Sequence, residues 1–254
     1  MTILLSPAKL MQSGKDTDFS LTSIPHFLEE AKMLVNSIKG LTVSELMERM
    51  HISREIAELN YIRYQNWQPS KALSDDIQPC SFLFNGEVYK ALEVRSWSKS
   101  DLLRAQERLL ILSGLYGVLK PLDLISPYRL EMGTRWAPNH HSKNLYAFWK
   151  EKLTTYLVSR LGDSEVVIDL ASTEYSKVID WKRINVPVIT PVFKEFKGGK
   201  YTTVMMYAKH ARGSMARYII QEKIIHSEQL KSYAVDGYSF DDKLSSVKEW
   251  VFVR

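Results

Sequence analysis

The sequence predicts a mixed α/β (α+β) protein in which a central sheet is surrounded by helices. Short apolar runs alternate with longer segments of helical period along the chain. Several of those runs stop abruptly in polar or glycine-containing segments, as parallel strands do where their carboxyl ends meet loops. No internal repeat, low-complexity tract or Pro/Gly/Ser linker interrupts the 254 residues. That length is enough for an ample core, so one domain over residues 1–254 is expected.

The elements follow in order. "TILLS" reads as a short buried strand. "SIPHFLEEAKMLVNSIKG" reads as a helix stopped at Gly40. "LTVSELMERMHISREIAELNYIRYQNW" reads as two helices, the second capped by Ser53 with an apolar stripe of Ile52, Ile56 and Leu59. "SWSKSDLLRAQERL" opens with Ser98 and Asp101 at capping-box spacing, and "LLILSG" follows as a buried strand. "KNLYAFWKEKLTTYLVSRLG" is a helix closed by Gly162. "EVVIDLAS", "VPVITPVF", "KYTTVMMYA" and "EWVFVR" read as strands.

Apolar content of 45% with 25% charged residues is ordinary for a globular chain. The single cysteine, Cys80, forms no intramolecular disulfide, which suits a reducing compartment. The apolar N-terminal run is too short for a secretory signal, and no run reaches a membrane span, so a cytoplasmic protein with no membrane partner is expected. The balance is basic: 34 Lys+Arg against 29 Asp+Glu, net +5. From Lys194 to Lys223 the excess is sharper, with seven bases (Lys194, Lys197, Lys200, Lys209, Arg212, Arg217, Lys223) and two acids (Glu195, Glu222). Local basic excess is one mark of nucleic-acid binding.

Four strand ends draw the chemistry. "ILL" runs into Ser6-Pro7-Ala8-Lys9, "LLIL" into Ser113-Gly114-Leu115-Tyr116-Gly117, "VVIDLA" into Ser172-Thr173-Glu174-Tyr175, and "TTVMMYA" into Lys209-His210-Ala211-Arg212-Gly213. If these ends converge they form one polar, basic cleft. On a helix from about Ala208, Lys209, Arg212 and Arg217 fall opposite the apolar arc, and Gly213 near them allows a close approach to the backbone. Such a face is either solvated or turned to an anion.

"LLSPAK", "FNGEVYKAL", "LSGLYGVLKPLDLISPYRLEMG", "DLASTEYSKVI" and "YAKHARGSMARYII" together resemble the YaaA family, the peroxide-stress resistance proteins of bacteria. The match runs from the first strand nearly to the last residue, in the family's order. The resemblance implies a cytosolic protein made during hydrogen peroxide stress that limits unincorporated iron and protects DNA. It also implies a single α/β domain of unusual topology, a basic cleft, and a helix-hairpin-helix-like element, here near residues 41–67. Two departures stand out. "RMHIS" has no glycine between the helices, which leaves the capped N-terminus at Ser53 to hold a phosphate. His210 stands where the family often has Lys, one fixed charge fewer at neutral pH.

The nucleic-acid contacts expected are Lys9, Arg129, Lys177, Lys209, Arg212, Arg217 and Ser53. The expected partner is DNA, duplex or single-stranded, held mainly by its backbone by a monomer. A second reading is an enzyme acting on a nucleobase or nucleotide in the same cleft, with Glu174, Lys177 and Lys9 as acid/base candidates. Glu174 and Lys177 are equally an ordinary i,i+3 pair, Arg129 and Glu131 a loop-locking pair, and the two glycines of "SGLYGVLKP" a tight turn. No cofactor motif is present. The six histidines show no metal-ligand spacing, and His140-His141 reads as exposed loop, so no metal site is assigned.

Overall fold

The computed structural model describes residues 1–254 except 13–20, 70–72, 75 and 164. Strand β1 (Thr2–Leu5) is buried along its whole length, as its unbroken apolar run requires. Helix α1 (Leu28–Ile38) follows, then α2 (Val43–Met50) and α3 (Arg54–Asn66). These last two form a helical hairpin over the expected span. A capping box of Thr42 and Glu45 starts α2, and Ser53 caps α3 by accepting the Ile56 N–H. His51 takes the left-handed conformation (φ 51°) that glycine would ordinarily supply in the turn. The apolar stripe differs from expectation. Ala57, Asn60 and Tyr64 face the core, while Ile56 and Leu59 are exposed. Asn60 is satisfied within the helix by the Ile56 carbonyl at 2.8 Å, and Tyr64 donates to the Arg129 carbonyl, which ties this face of the helix to the core.

Strand β2 (Gln78–Pro79), the short helices α4 (Cys80–Leu83) and α5 (Glu87–Leu92), and α6 (Lys99–Arg108) lead to β3 (Leu109–Ser113). The Ser98–Asp101 capping box starts α6 as its spacing predicts. Strands β4 (Gly117–Leu119) and β5 (Leu124–Ile125), helix α7 (Leu145–Arg160), β6 (Val167–Asp169) and α8 (Thr173–Ser176) come next. Strand β7 (Val188–Lys197) turns through Gly198 and Gly199, both with positive φ, into β8 (Lys200–Thr202). Helix α9 (Met205–Gln221), β9 (Ser239–Asp241) and β10 (Glu249–Val253) close the fold. "KYTTVMMYA" is thus not one strand. Pairing ends at Thr202, and Met205 to Ala208, good helix formers apart from Tyr207, already belong to α9.

The main sheet has eight strands in the order β4-β3-β1-β6-β7-β10-β9, with β8 paired to β7. The pairs β3–β1, β1–β6, β6–β7 and β7–β10 are parallel, and β4, β8 and β9 add antiparallel edges. β2 and β5 form a separate small ladder. Chain order matters here. From β1 the chain moves to β3 on one side, and from β6 it moves to β7 on the other. The carboxyl ends of β1 and β6 therefore flank a topological switch point, where open α/β sheets place their ligand crevice.

Helix α9 is not the surface helix that its basic arc suggests. It is covered by α5 and α6 as well as by the sheet, and Ala208, Ala211 and the run Gly213–Ala216 are buried. A Cβ on Gly213 would lie 1.9 Å from the Val88 carbonyl oxygen, so the close approach this glycine permits is to the backbone of α5. Arg104 of α6 donates to the Ile220 carbonyl at 2.9 Å and holds the other end of α9. No described helix is long and apolar enough to cross a membrane.

Candidate functional site

A cleft of about 430 Å³ opens at the switch point. All five segments that carry the family resemblance contribute to its wall: Ser6–Leu10 after β1, Gly86–Tyr89 at the start of α5, Tyr128–Glu131, the segment after β6 with Ser172, Glu174 and Tyr175, and Lys209 with Arg212 on α9.

Ser6 and Ser172 tie its floor together. The Ser172 backbone N–H donates to Ser6 Oγ at 2.8 Å, and Ser6 Oγ lies 3.2 Å from Ser172 Oγ. Tyr89 donates to the Ser6 carbonyl at 2.9 Å, which fixes α5 to the end of β1. Tyr128 shares a 2.6 Å hydrogen bond with Ser113. Burial pushes the hydroxyls of Tyr89, Tyr128 and Tyr175 up from their ordinary range, so they line the floor as neutral groups. The glycines of "SGLYG" are structural. A Cβ on Gly114 would meet the Leu130 carbonyl oxygen at 2.3 Å, and Gly117 has φ +70° against the Trp149 ring. Gly114 thereby seats the Arg129–Glu131 segment against the end of β3.

The wall carries four cations, Lys9, Arg129, Lys209 and Arg212, and three carboxylates, Glu87, Glu131 and Glu174. It is therefore mixed in charge rather than uniformly basic. Two of the cations share one carboxylate: Glu131 Oε1 accepts from Arg129 Nε and Nη2 at 3.0 and 2.9 Å, and Glu131 Oε2 meets Lys9 Nζ at 2.5 Å. Glu174 Oε1 accepts the Gly133 N–H at 2.9 Å, and Tyr146 donates to the Glu174 carbonyl at 3.0 Å. Glu87 pairs with Lys90 at 2.7 Å; that bond, with the charges of His210 and Lys209, holds its carboxyl below the usual range.

Arg212 differs. It is half-buried on the cleft wall, yet among the described residues its guanidinium has neither a hydrogen-bond nor an ion-pair partner. Burial lowers its affinity for the proton, opposed by the charge of Asp169. Asp169, the last residue of β6, is itself buried, and burial raises its carboxyl above the usual range. It accepts from Ser176 Oγ at 2.5 Å and from the Ala171 N–H at 3.1 Å. Sequence reading passed over Asp169; a lone carboxylate closing the apolar run "VVID" was the available signal. Lys209 lines the mouth, exposed and also without a hydrogen-bond or ion-pair partner among the described residues, feeling only the more distant charge of Glu87.

Three of the expected contact residues are not on this wall. Arg217 is paired with Glu93. Lys177 sits over the Tyr146 ring, 4.4 Å from its centroid. Ser53 caps α3. Among the described residues no cluster of three or more His, Cys, Asp and Glu side chains is arranged to hold a metal ion.

Fold and site define a class: an α/β protein with a small-molecule-sized crevice at the switch point of a mostly parallel sheet, walled by five separate segments. The chain belongs to a family described as peroxide stress protein YaaA, whose sequence model matches residues 1–244. It is 44% identical over 256 residues to a protein called UPF0246 of Saccharophagus degradans, covering 100% of this chain and 99% of the relative. A UPF0246 protein of Paraburkholderia phytofirmans is 42% identical over 258 residues, covering 100% and 98%. One of Janthinobacterium is 43% identical over 256 residues, again covering 100% and 98%.

Proposed function

We propose that this peroxide stress protein binds DNA by taking an unpaired nucleotide into the cleft, with the phosphate on Arg212 and Lys209. The observation that carries this reading is the Arg212 guanidinium, held half-buried with no hydrogen-bond or ion-pair partner among the described residues while the neighbouring Arg129 and Lys9 are occupied by Glu131. A desolvated guanidinium with free donors is a strong receptor for phosphate oxygens. A volume of about 430 Å³ suits one nucleotide unit rather than a duplex, which turns the DNA reading towards single strands or flipped bases. In this reading the protein acts as a monomer in the cytoplasm. It limits iron-dependent oxidative damage by occupying DNA at unpaired positions.

Anisotropy titrations of labelled single-stranded and duplex oligonucleotides of one sequence test it. The parent should prefer the single strand, and Arg212→Ala and Lys209→Ala should each weaken binding while remaining folded. Equal binding by Arg212→Ala and the parent would remove the reading.

Glu174 favours a second reading, an enzyme acting on a nucleobase. Its carboxylate is fixed on the cleft wall by the Gly133 N–H and carries no cationic partner among the described residues, a suitable state for proton transfer. Base or nucleotide release from an oligonucleotide, followed by mass spectrometry and abolished in Glu174→Gln, would establish turnover.

A further inference from the structure

Beside the cleft lies a second recess, of about 340 Å³, walled by Arg49, Gly133–Ala137, Lys143, Asn144 and Tyr146. It differs from the cleft in its charge. Three cations, Arg49, Arg135 and Lys143, meet there, and no carboxylate lines it. They come from distant parts of the chain: the last turn of α2, the loop after Met132, and the residue just before the Asn144 cap of α7.

Their own partners are few. Among the described residues Arg135 and Lys143 have no ion-pair or hydrogen-bond partner. Arg49 has only Glu45 one turn back, at 3.5 Å, and its Nε is buried without a hydrogen bond. Like charges brought together with only one counter-charge among the described residues, that of Glu45, repel one another, and an anion between them relieves that cost. A fourth cation stands close by: Lys177 rests on the ring of Tyr146, which lines the recess.

The recess and the cleft share a wall. Gly133 lines the recess and donates its N–H to Glu174, which lines the cleft, and a Cβ on Gly133 would stand 3.0 Å from that carboxylate oxygen. A chain leaving the cleft past Glu174 therefore meets Arg49, Arg135 and Lys143 next.

We propose that this recess is a second phosphate site, which holds the backbone of the same nucleic-acid strand on the far side of Glu174 from Arg212. The inference rests on the cleft reading above. It assigns roles to Arg49 at the end of α2 and to Lys177, neither of which the cleft uses.

The test is an anisotropy titration of a long and a very short single-stranded oligonucleotide at several salt concentrations, with the parent, the double variant Arg135→Gln/Lys143→Gln, and Arg212→Ala. Both replaced recess residues are exposed, and an unchanged melting temperature confirms the fold. With the long strand the double variant should bind about tenfold more weakly, with a log–log salt slope shallower by about 1.4, or ~0.7 for each lost phosphate contact. With the short strand, which fills the cleft alone, it should bind as the parent does. Arg212→Ala should weaken both. An unchanged slope for the double variant on the long strand would overturn the recess and leave the cleft reading intact. A lowered slope in the double variant beside normal binding by Arg212→Ala would overturn the shared track and the cleft reading, leaving a separate phosphate site. No change in either variant would dispose of both.

Discussion

Gly213 of α9 lies against the Val88 carbonyl of α5 so closely that a Cβ there would sit 1.9 Å from the oxygen. Val88 and Arg212 are both on the cleft wall. The glycine thus sets the distance between the two helices that shape the cleft, and it presents the preceding arginine at that depth. Gly213→Ala forces α5 and α9 apart. The gain in helix propensity is under about 1 kcal/mol, whereas overpacking costs about 1–3 kcal/mol or more. Urea unfolding should show a lowered midpoint, with oligonucleotide affinity reduced in parallel. An unchanged midpoint would mean that the helices separate freely.

Glu131 occupies Arg129 and Lys9 at once. Glu131→Gln removes the one negative charge they share, raises the net charge of the cleft by one unit and leaves both cations without an ion-pair partner among the described residues. Affinity for single-stranded DNA should rise several-fold at low salt, with a steeper salt slope. Weaker binding in this variant would show that the glutamate organises the two cations for the ligand rather than competing with it.

Asp123 is buried, and burial lifts its carboxyl to about 6 although it accepts from Ser23 Oγ and the Lys120 N–H. A raised carboxyl binds its proton more tightly in the folded chain than in the unfolded one, where it titrates near the ordinary 3.8. Its contribution to stability is therefore greatest below the unfolded value and declines as pH rises from about 4 to about 6, by on the order of 3 kcal/mol. The difference in unfolding free energy between the parent and Asp123→Asn, measured across pH 4–7, should move against the parent through that window and then level off. A flat difference would exclude the buried charge.

Cys80 donates to the Lys120 carbonyl at 3.1 Å and is fully buried, and burial pushes its thiol well up. Thiol reactivity requires thiolate, so a buried thiol held neutral should react slowly. Iodoacetamide and dilute hydrogen peroxide should leave it unmodified in the native protein and modify it readily in urea, as intact-mass spectrometry would record. Rapid native oxidation would require an opening of the β2–β5 region.

Much of this was legible in the sequence. Buried parallel strands announce themselves as unbroken apolar runs, and "TILL", "LLILS" and "EWVFV" all fall where they read. Of the four strand ends expected to converge, those after β1 and β6 do meet in the cleft, whereas Ser113–Gly117 lies off its wall and Lys209 and Arg212 reach it from a helix rather than a strand end. The direction of side chains on α9 was not legible. A helical wheel divides a helix into two faces, and α9 is enclosed on more than one side, so Arg212 points into a cleft while Arg217, five residues on, meets Glu93. Charge pairing was equally hidden. Lys9 and Glu131 are far apart in sequence, and only the fold makes one cancel the other. On α3 the wheel selected Ile56 and Leu59, but the bond from Tyr64 to the Arg129 carbonyl holds the opposite face inward, with Asn60 satisfied within the helix.

The role we propose for Arg212 is to receive a phosphate. The measurement that meets it most directly is the salt dependence of single-strand binding for Arg212→Ala, with Arg217→Ala as the matched control, since Arg217 lies on the same helix but is already paired with Glu93. Arg212→Ala should bind more weakly, with a slope shallower by about 0.7, while Arg217→Ala should keep the parental slope. A parental slope in Arg212→Ala, or an equal loss in both variants, would contradict the claim.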